Sequence, residues 1–517
     1  MKRTTHDSNL GLGGDDLGSG LTNAPRPYEA PVPALVVTAL LAGMAGAMGW
    51  GIRGQFGHET GAMVPGVLVA MVLVFLSSPH ASSLRAARAV ALTALAFAFG
   101  GSMTYGQTVG LTHDHELIGN WPAFRWGMLG LFVKGGIWIG FAGAFLGIGL
   151  SRKKYSALEI LTVMATMVGC YYLGRYLLNE PFHPFDPEKR ELPPIYFSDH
   201  WDWEPDKADM RPRPESWGGL LLALTVLFVY VAGFKKDRLA RNMTLVGVLS
   251  GGLGFTIGQS VQAAHQWGAE WTRYPIIARV GNWWNMMETT FGFVLGFGLG
   301  VGVWLNRHLI AKNETDGPVE PSLTPPMEWV LAILYAAALI RMGFVFENPE
   351  LALGALPLAF IVGGRYFPYL QALPLLCLPI AAKTLIHRTH NRDPSSELLI
   401  GMQAQAVYLV LPMAVMLVAA IFFARRSLRA TPGPSFARWG LLLSAWTYYG
   451  LNHAFWGFRK LEQWSGPGWI FAVCLFFLTL AALVLHRRPD SGQELYDPDT
   501  TTDSTDTPEA TGTPGEP

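Results

Sequence analysis

Stretches of about twenty predominantly apolar residues recur along most of this 517-residue chain, and no other feature narrows its possible folds so far. A helix rising 1.5 Å per residue needs roughly 20 such residues to cross a hydrocarbon core of about 30 Å. Half of the residues are apolar and 15% are charged, against roughly 25% charged in an average soluble chain. Most of this length therefore faces lipid, and the expected fold is an all-α, polytopic transmembrane helix bundle. The 58 glycines and 18 tryptophans fit that reading, since glycine lets helices approach closely in lipid and tryptophan collects at the membrane interfaces.

Candidate spans cover residues 33–52, 61–78, 86–106, 125–150, 155–179, 216–234, 242–263, 283–305, 328–347, 351–387, 399–424, 438–457 and 468–486. The stretch 351–387 has room for two short helices, giving 13 or 14 in all. Residues 1–30 are polar and rich in Gly and Pro, without the short apolar core of a cleaved signal peptide. They are expected to be disordered ahead of a first helix that acts as an uncleaved anchor. Residues 487–517 hold too little apolar surface to fold and are expected to be a disordered tail. The bundle then occupies residues 31–486.

Basic residues set the expected orientation. Arg85 and Arg88, then Arg152, Lys153 and Lys154, then Lys235, Lys236, Arg238 and Arg241 follow the second, fourth and sixth spans, which puts those loops and the N-terminus in the cytoplasm of a plasma (inner) membrane. Arg425, Arg426, Arg429, Arg487 and Arg488 join that side if residues 351–387 cross twice, which favours 14 helices. The insertion 180–215, rich in acids, prolines and aromatics, then lies outside, as a lid or as a packed cap. A formal net charge of zero and the absence of a polybasic tract argue against a nucleic-acid partner. Cys170, Cys377 and Cys474 lie far apart inside apolar segments and imply neither a disulfide framework nor a thiolate metal site.

The most informative pattern is an internal similarity. From Arg85 the chain reads RAAR, an apolar span, GQTVGLTH (Gly106 to His113), GNW (Gly119 to Trp121) and a Gly-rich span. From Arg238 it reads RLAR, an apolar span, GQSVQAAH (Gly258 to His265), GNW (Gly281 to Trp283) and another Gly-rich span. The copies, approximately 85–150 and 238–305, are separated by an even number of spans, so they are expected to run in the same direction as a parallel repeat. Weaker relatives occupy the first hairpin, with Arg53, Gln55, His58 and Glu59, and the last, with Tyr449, Asn452 and His453. All these tips are expected on one side of the membrane.

Glycine beside Gln and His at a helix end frees backbone groups, which are tolerated at membrane depth only against protein or a wet cavity. The tips are thus expected to converge on a polar pocket. Its candidate lining is Arg53, Gln55, His58 and Glu59 from the first tip, and Gln107, His113, Asp114, His115, Glu116, Asn120 and Trp121 from the second. The third tip adds Gln259, His265, Glu270, Asn282, Trp283, Asn285 and Glu288. Three chemistries compete. Thr112 to Glu116 (THDHE) and the pair His58 and Glu59 offer imidazole and carboxylate ligands, without the HExxH or Cys/His spacing of a zinc site. Trp, Asn, Gln and His suit the ring face and hydroxyls of a sugar, while Arg53 suits a carboxylate or phosphate. Acids and histidines on one face can also run acid–base chemistry, although no nucleophile motif is present.

Lys134, Glu159, Arg175, Glu288 and Arg341 fall within spans, where a charge is a functional hypothesis by default. Lys134 lies deepest, roughly 12 Å below Glu288, and suggests a substrate anchor, a coupling group, a counter-ion to Glu159 or a structural pair; Arg175 and Glu288 lie near enough to span ends to snorkel. The leading expectation is a secondary transporter or permease for a small polar solute, sugar-like or anionic. The alternative is a membrane-embedded enzyme acting on a lipid-linked or glycan substrate at the outer face. No cofactor motif or oligomeric preference is legible.

Overall fold

The computed structural model describes residues 32–56, 59–78, 81–101, 105–179, 216–311, 322–345, 355–375, 378–390, 402–427, 436–456 and 460–485. The N-terminal segment, the insertion 180–215, the C-terminal tail and His58 lie outside the described residues, as do the side chains of Glu59, Gln107 and Glu116. The first helices are α1 (Val32–Arg53), α2 (Glu59–Ser77), α3 (Ser83–Gly100), the short α4 (Gly106–His113), α5 (Trp121–Leu150) and α6 (Ala157–Gly174). They are followed by α7 (Trp217–Val229), α8 (Arg238–Gln266), the one-turn α9 (Pro275–Ala278), α10 (Trp283–Leu305) and α11 (Pro325–Val345). The chain continues through α12 (Ala355–Gly363), α13 (Phe367–Ala372), α14 (Leu378–His390), α15 (Met402–Gln405), α16 (Leu411–Arg426), α17 (Phe436–Phe455) and α18 (Gly466–Val484). Among the described residues the one extended contact is an isolated bridge between Ser151 and Ile310.

Nine of these helices, among the described residues, are long and apolar enough to cross a membrane, as a membrane-embedded multi-pass protein requires. The distribution of side chains agrees. Leu245, Leu249, Leu253 and Ile257 form an exposed stripe along α8, and Val415, Val418 and Phe422 another along α16. Lys134, Arg53, Gln259 and Glu288 are buried. Apolar surface outside and polar groups inside suits hydrocarbon and not water.

The long helices α1 and α10, and likewise α5 and α8, pack antiparallel through small residues. Gly46 faces Gly292, and Ala42 faces Gly296, along the seam of α1 and α10. Gly143 meets the Met243 carbonyl, and Gly247 that of Ile139, along the seam of α5 and α8. At these positions any Cβ would collide with the facing backbone, so the helices touch main chain to main chain, as small residues allow in lipid. Between the two seams, Phe255 of α8 stacks on Phe291 of α10 at 4.7 Å, and Trp50 of α1 meets the same Phe291 edge-on at 4.4 Å.

The structure departs from the expected spans in two places. Residues 86–106 do not form one helix. α3 stops at Gly100, against which Trp138 is pressed, and the chain starts again at Gly106 as α4. The corresponding stretch of the second segment is unbroken through α8, from Arg238 to Gln266. The described residues between 355 and 390 form three short helices, of 9, 6 and 13 residues, the first two separated at Gly364 and the second ending just before Pro374. At 1.5 Å per residue even the longest reaches only about 20 Å. None spans alone, and the double crossing on which a count of 14 rested is not built from helices of spanning length.

Candidate functional site

The tips of the hairpins meet at one end of the bundle, and each is shaped by its local sequence. Gly119 and Gly281 adopt φ of +87° and +73°, a left-handed conformation that glycine takes without a Cβ clash. Each turns the chain so that the next residue caps a helix: Asn120 accepts from the Ala123 amide at 3.1 Å, and Asn282 from the Asn285 amide at 3.0 Å. The two Gly-Asn-Trp motifs therefore start α5 and α10 in the same manner. Asn120, Asn282 and Trp121 do this work at the rim. Trp121 is exposed and packs on Trp267 at 4.9 Å.

Beneath the rim lies a buried polar cluster. Arg53, at the end of α1, donates from Nη1 to the Tyr105 hydroxyl at 2.8 Å and reaches Oε1 of Glu288 on α10 at 3.4 Å. The Tyr105 hydroxyl and the Trp284 indole also face the Glu288 carboxylate. The guanidinium sits over the rings of Trp50, Tyr105 and Trp138, 5.3 to 5.7 Å from their centroids, a setting that favours a cation. Gly54 lies directly against the carboxylate of Glu288, where a Cβ would collide with both oxygens. Glu288 is therefore not a snorkelling residue near a span end; it is 2% exposed and ion-paired across two helices.

Lys134, 0% exposed, donates to Thr108 Oγ1 at 2.5 Å and lies 5.9 Å from the Trp217 ring. It is not a counter-ion to Glu159, which pairs with Lys235 at 2.7 Å and with the Tyr230 hydroxyl at the opposite end of the bundle. Gln259, also fully buried, donates from Nε2 to Thr112 Oγ1 at 2.7 Å. Tyr105, Thr108 and Thr112 follow the three- and four-residue spacing of one helix face. Short α4, with the residue before it, thus receives Arg53 from α1, Lys134 from α5 and Gln259 from α8.

The remaining tips are tied together outside that hub. Gln55 donates to Asn452 of α17 at 2.7 Å, Asn285 donates to the Gly51 carbonyl at 2.6 Å, and the Trp267 indole donates to the Thr112 carbonyl at 2.9 Å. His265 stacks on Trp283 at 4.3 Å. His113 lies 3.4 Å from Asp114, and its Nδ1 faces the Val109 carbonyl at 3.1 Å. Burial lowers the His113 pKa against the opposing pull of Asp114 and that carbonyl, which favours the neutral ring.

Several buried acceptors in this region lack a donor among the described residues: Oε1 of Gln55, Gln259 and Gln262, and Oδ1 of Asn285. For Gln259 and Asn285 the assignment of oxygen and nitrogen follows from the partners. Thr112 spends its proton on the Val109 carbonyl, and Gly51 offers only a carbonyl, so in both amides the bonded atom is the NH2 and the oxygen is left over. A buried acceptor without a donor costs about 1–3 kcal/mol.

The structure brings together Arg53, Gln55, Gln259, His265, Trp283 and Glu288 from the tips and Lys134 from deeper in α5, with Thr112 of the THDHE segment, and sets beside them Trp50, Tyr105, Thr108, Trp138 and Gln262, which the sequence did not single out. The hydroxyl spacing 105, 108, 112 was the available signal. Among the described residues no group of three His, Cys, Asp or Glu side chains comes together to hold a metal. Neither a family model, nor a curated protein, nor a solved structure matches this chain.

Proposed function

We propose that the protein is a secondary transporter or permease for a small polar solute, and that the solute is rich in hydroxyl donors, as a sugar or polyol is. The carrying observation is the set of buried amide oxygens without donors, on Gln259, Gln262 and Asn285, close to the buried cations Arg53 and Lys134. Hydroxyl groups would satisfy those oxygens, whereas the cations already hold partners in Glu288, Tyr105 and Thr108, so an added anionic group on the solute is secondary. Because the cluster is sealed, solute entry requires the hairpin tips to separate, breaking the bonds from Gln55 to Asn452 and from Trp267 to Thr112.

A parallel duplication of 85–150 and 238–305 underlies this reading. Its support is the shared Gly-Asn-Trp start of α5 and α10, and the common direction of both helices from the tip end to the opposite end, where Arg152 bonds the His308 carbonyl at 3.0 Å. The basic loops at that opposite end favour placing it in the cytoplasm, beneath an inner membrane.

Liposomes containing the protein are expected to take up sugars or polyols in a screen that also includes uronates and carboxylates. Gln259→Leu and Asn285→Leu, which remove the acceptors, should abolish uptake while the protein still folds. A protein that moves nothing in that screen overturns the proposal. The half-buried His113 beside the exposed Asp114 favours one other reading, an acid–base enzyme at the tip face. Hydrolysis of a glycan or lipid-linked substrate lost in His113→Ala, with no uptake in the wild type, would select it.

A further inference from the structure

We infer that the end of the bundle opposite the tips holds a phosphate-binding site, independent of the solute path. A cavity of about 50 Å³ lies between the start of α3, the end of α5 and the end of α12, lined by Arg85, Arg88, Lys153 and Tyr155 at its polar side and by Leu92, Ile148 and Val362 deeper in. A water needs at least ~10–15 Å³ of such space, so the volume suits a group of about four oxygens. No acidic side chain is among the described lining residues.

The charge arrangement runs against what the helices would choose for themselves. α3 has no acid in its first turn and carries Arg85 there, with Arg88 one turn on, although the N-terminus of a helix already has positive potential and favours anions. Arg85 offsets part of this by donating to the carbonyl of Ser151 at 3.0 Å, past the end of α5, and Arg88 by donating to the Gly364 carbonyl at 2.9 Å. The titratable groups facing Arg88 from elsewhere are Glu328 of α11, Tyr369 of α13 and the cationic Arg365. Glu328 is engaged by the amides of Tyr366 and Phe367. Tyr155 is committed to Asp237 at 2.7 Å, and Asp237 in turn caps α8 through the amides of Leu239 and Ala240. Arg85, Arg88 and Lys153 thus line the cavity, the nearby carboxylates Glu328 and Asp237 are both engaged by backbone amides, and Lys153 is exposed at the mouth.

The ligand is a phosphate group. The apolar floor one helical turn below Arg88 favours a phosphate that carries acyl chains, as an anionic phospholipid does, and basic pockets between spans at this side of a bundle suit such headgroups. The test uses the full chain in nanodiscs, with native mass spectrometry of retained lipid and a thermal-unfolding titration with inorganic phosphate. Wild type is expected to retain one phosphatidylglycerol in preference to phosphatidylcholine. Lys153→Gln, which alters only an exposed side chain, should weaken retention about fivefold, near 1 kcal/mol per cation, and Arg88→Gln more. Stabilisation by millimolar inorganic phosphate that Lys153→Gln removes, without lipid preference, would support the anion site and identify the free ion as its occupant. Lipid retention and phosphate response both unchanged in Lys153→Gln, or absent from the wild type, overturn the inference.

Discussion

Arg53 and Glu288 are paired at a buried site where a charge without a partner is costly. Removing one partner of a buried pair leaves an uncompensated charge, at a cost of about 3–5 kcal/mol, whereas replacing both is often close to neutral. Arg53→Met is therefore expected to lower thermal stability strongly, and Arg53→Met combined with Glu288→Gln to recover most of it, measured as unfolding in detergent. Uptake should stay lost in the stable double variant if the pair serves transport. A double variant that regains both stability and uptake would make the pair structural only. The neighbourhood of Gly54 adds a second constraint, since any larger residue displaces the carboxylate it lies against.

Elements rather than single side chains decide how the tips are held. The break between α3 and α4 frees a short helix whose hydroxyl face collects bonds from α1, α5 and α8, while the unbroken α8 contributes its glutamines from within a continuous rod. The seams that position these rods are narrow. Gly247→Leu would drive a side chain into the Ile139 carbonyl, and the expected loss is about 1–3 kcal/mol or more of stability, read from the thermal midpoint; an unchanged midpoint would mean the seam is looser than its backbone contacts imply. The long spans were legible in the sequence because a 20-residue apolar run has few other fates. The end of α3 was not, because Gly100 reads as one more small residue in an apolar run until Trp138 is placed against it. In the same way Arg53 and Gln259 stood out as polar residues at apolar borders, whereas Tyr105 and Thr108 did not. A hydroxyl beside a helix end is common, and only the partner arriving from a distant helix gives it a role. Residues 351–387 misled by hydropathy alone, since their glycines and prolines divide what composition would join.

At the scale of the molecule, bonds among the hairpins place every tip at one end and the basic loops at the other. In a background lacking Cys170, Cys377 and Cys474, single cysteines at His115 and Glu270 are expected to react together with a membrane-impermeant maleimide from one side. Cysteines at Lys154 and Arg238 should react only from the other. Reaction of residues 115 and 270 from opposite sides would break the common direction of α5 and α10, whichever way the protein is inserted. All four positions are exposed, so labelling reports access rather than unfolding.

The glycine seams have a mechanical side. Where two rods meet backbone against backbone, as Gly46 does Gly292 and Gly143 does Met243, few side chains stand in the way of a short slide along the track, while a separation sacrifices dispersion contact at once. The stacked rings of Phe255 and Phe291 act differently, as a pin between α8 and α10. α1 is likewise pinned to α10, by the Trp50 ring on Phe291 and by the Arg53–Glu288 pair, so the bundle divides into glycine tracks along the half of each seam away from the tips and a set of pins at the tip end, and it is stiffest around its buried charges.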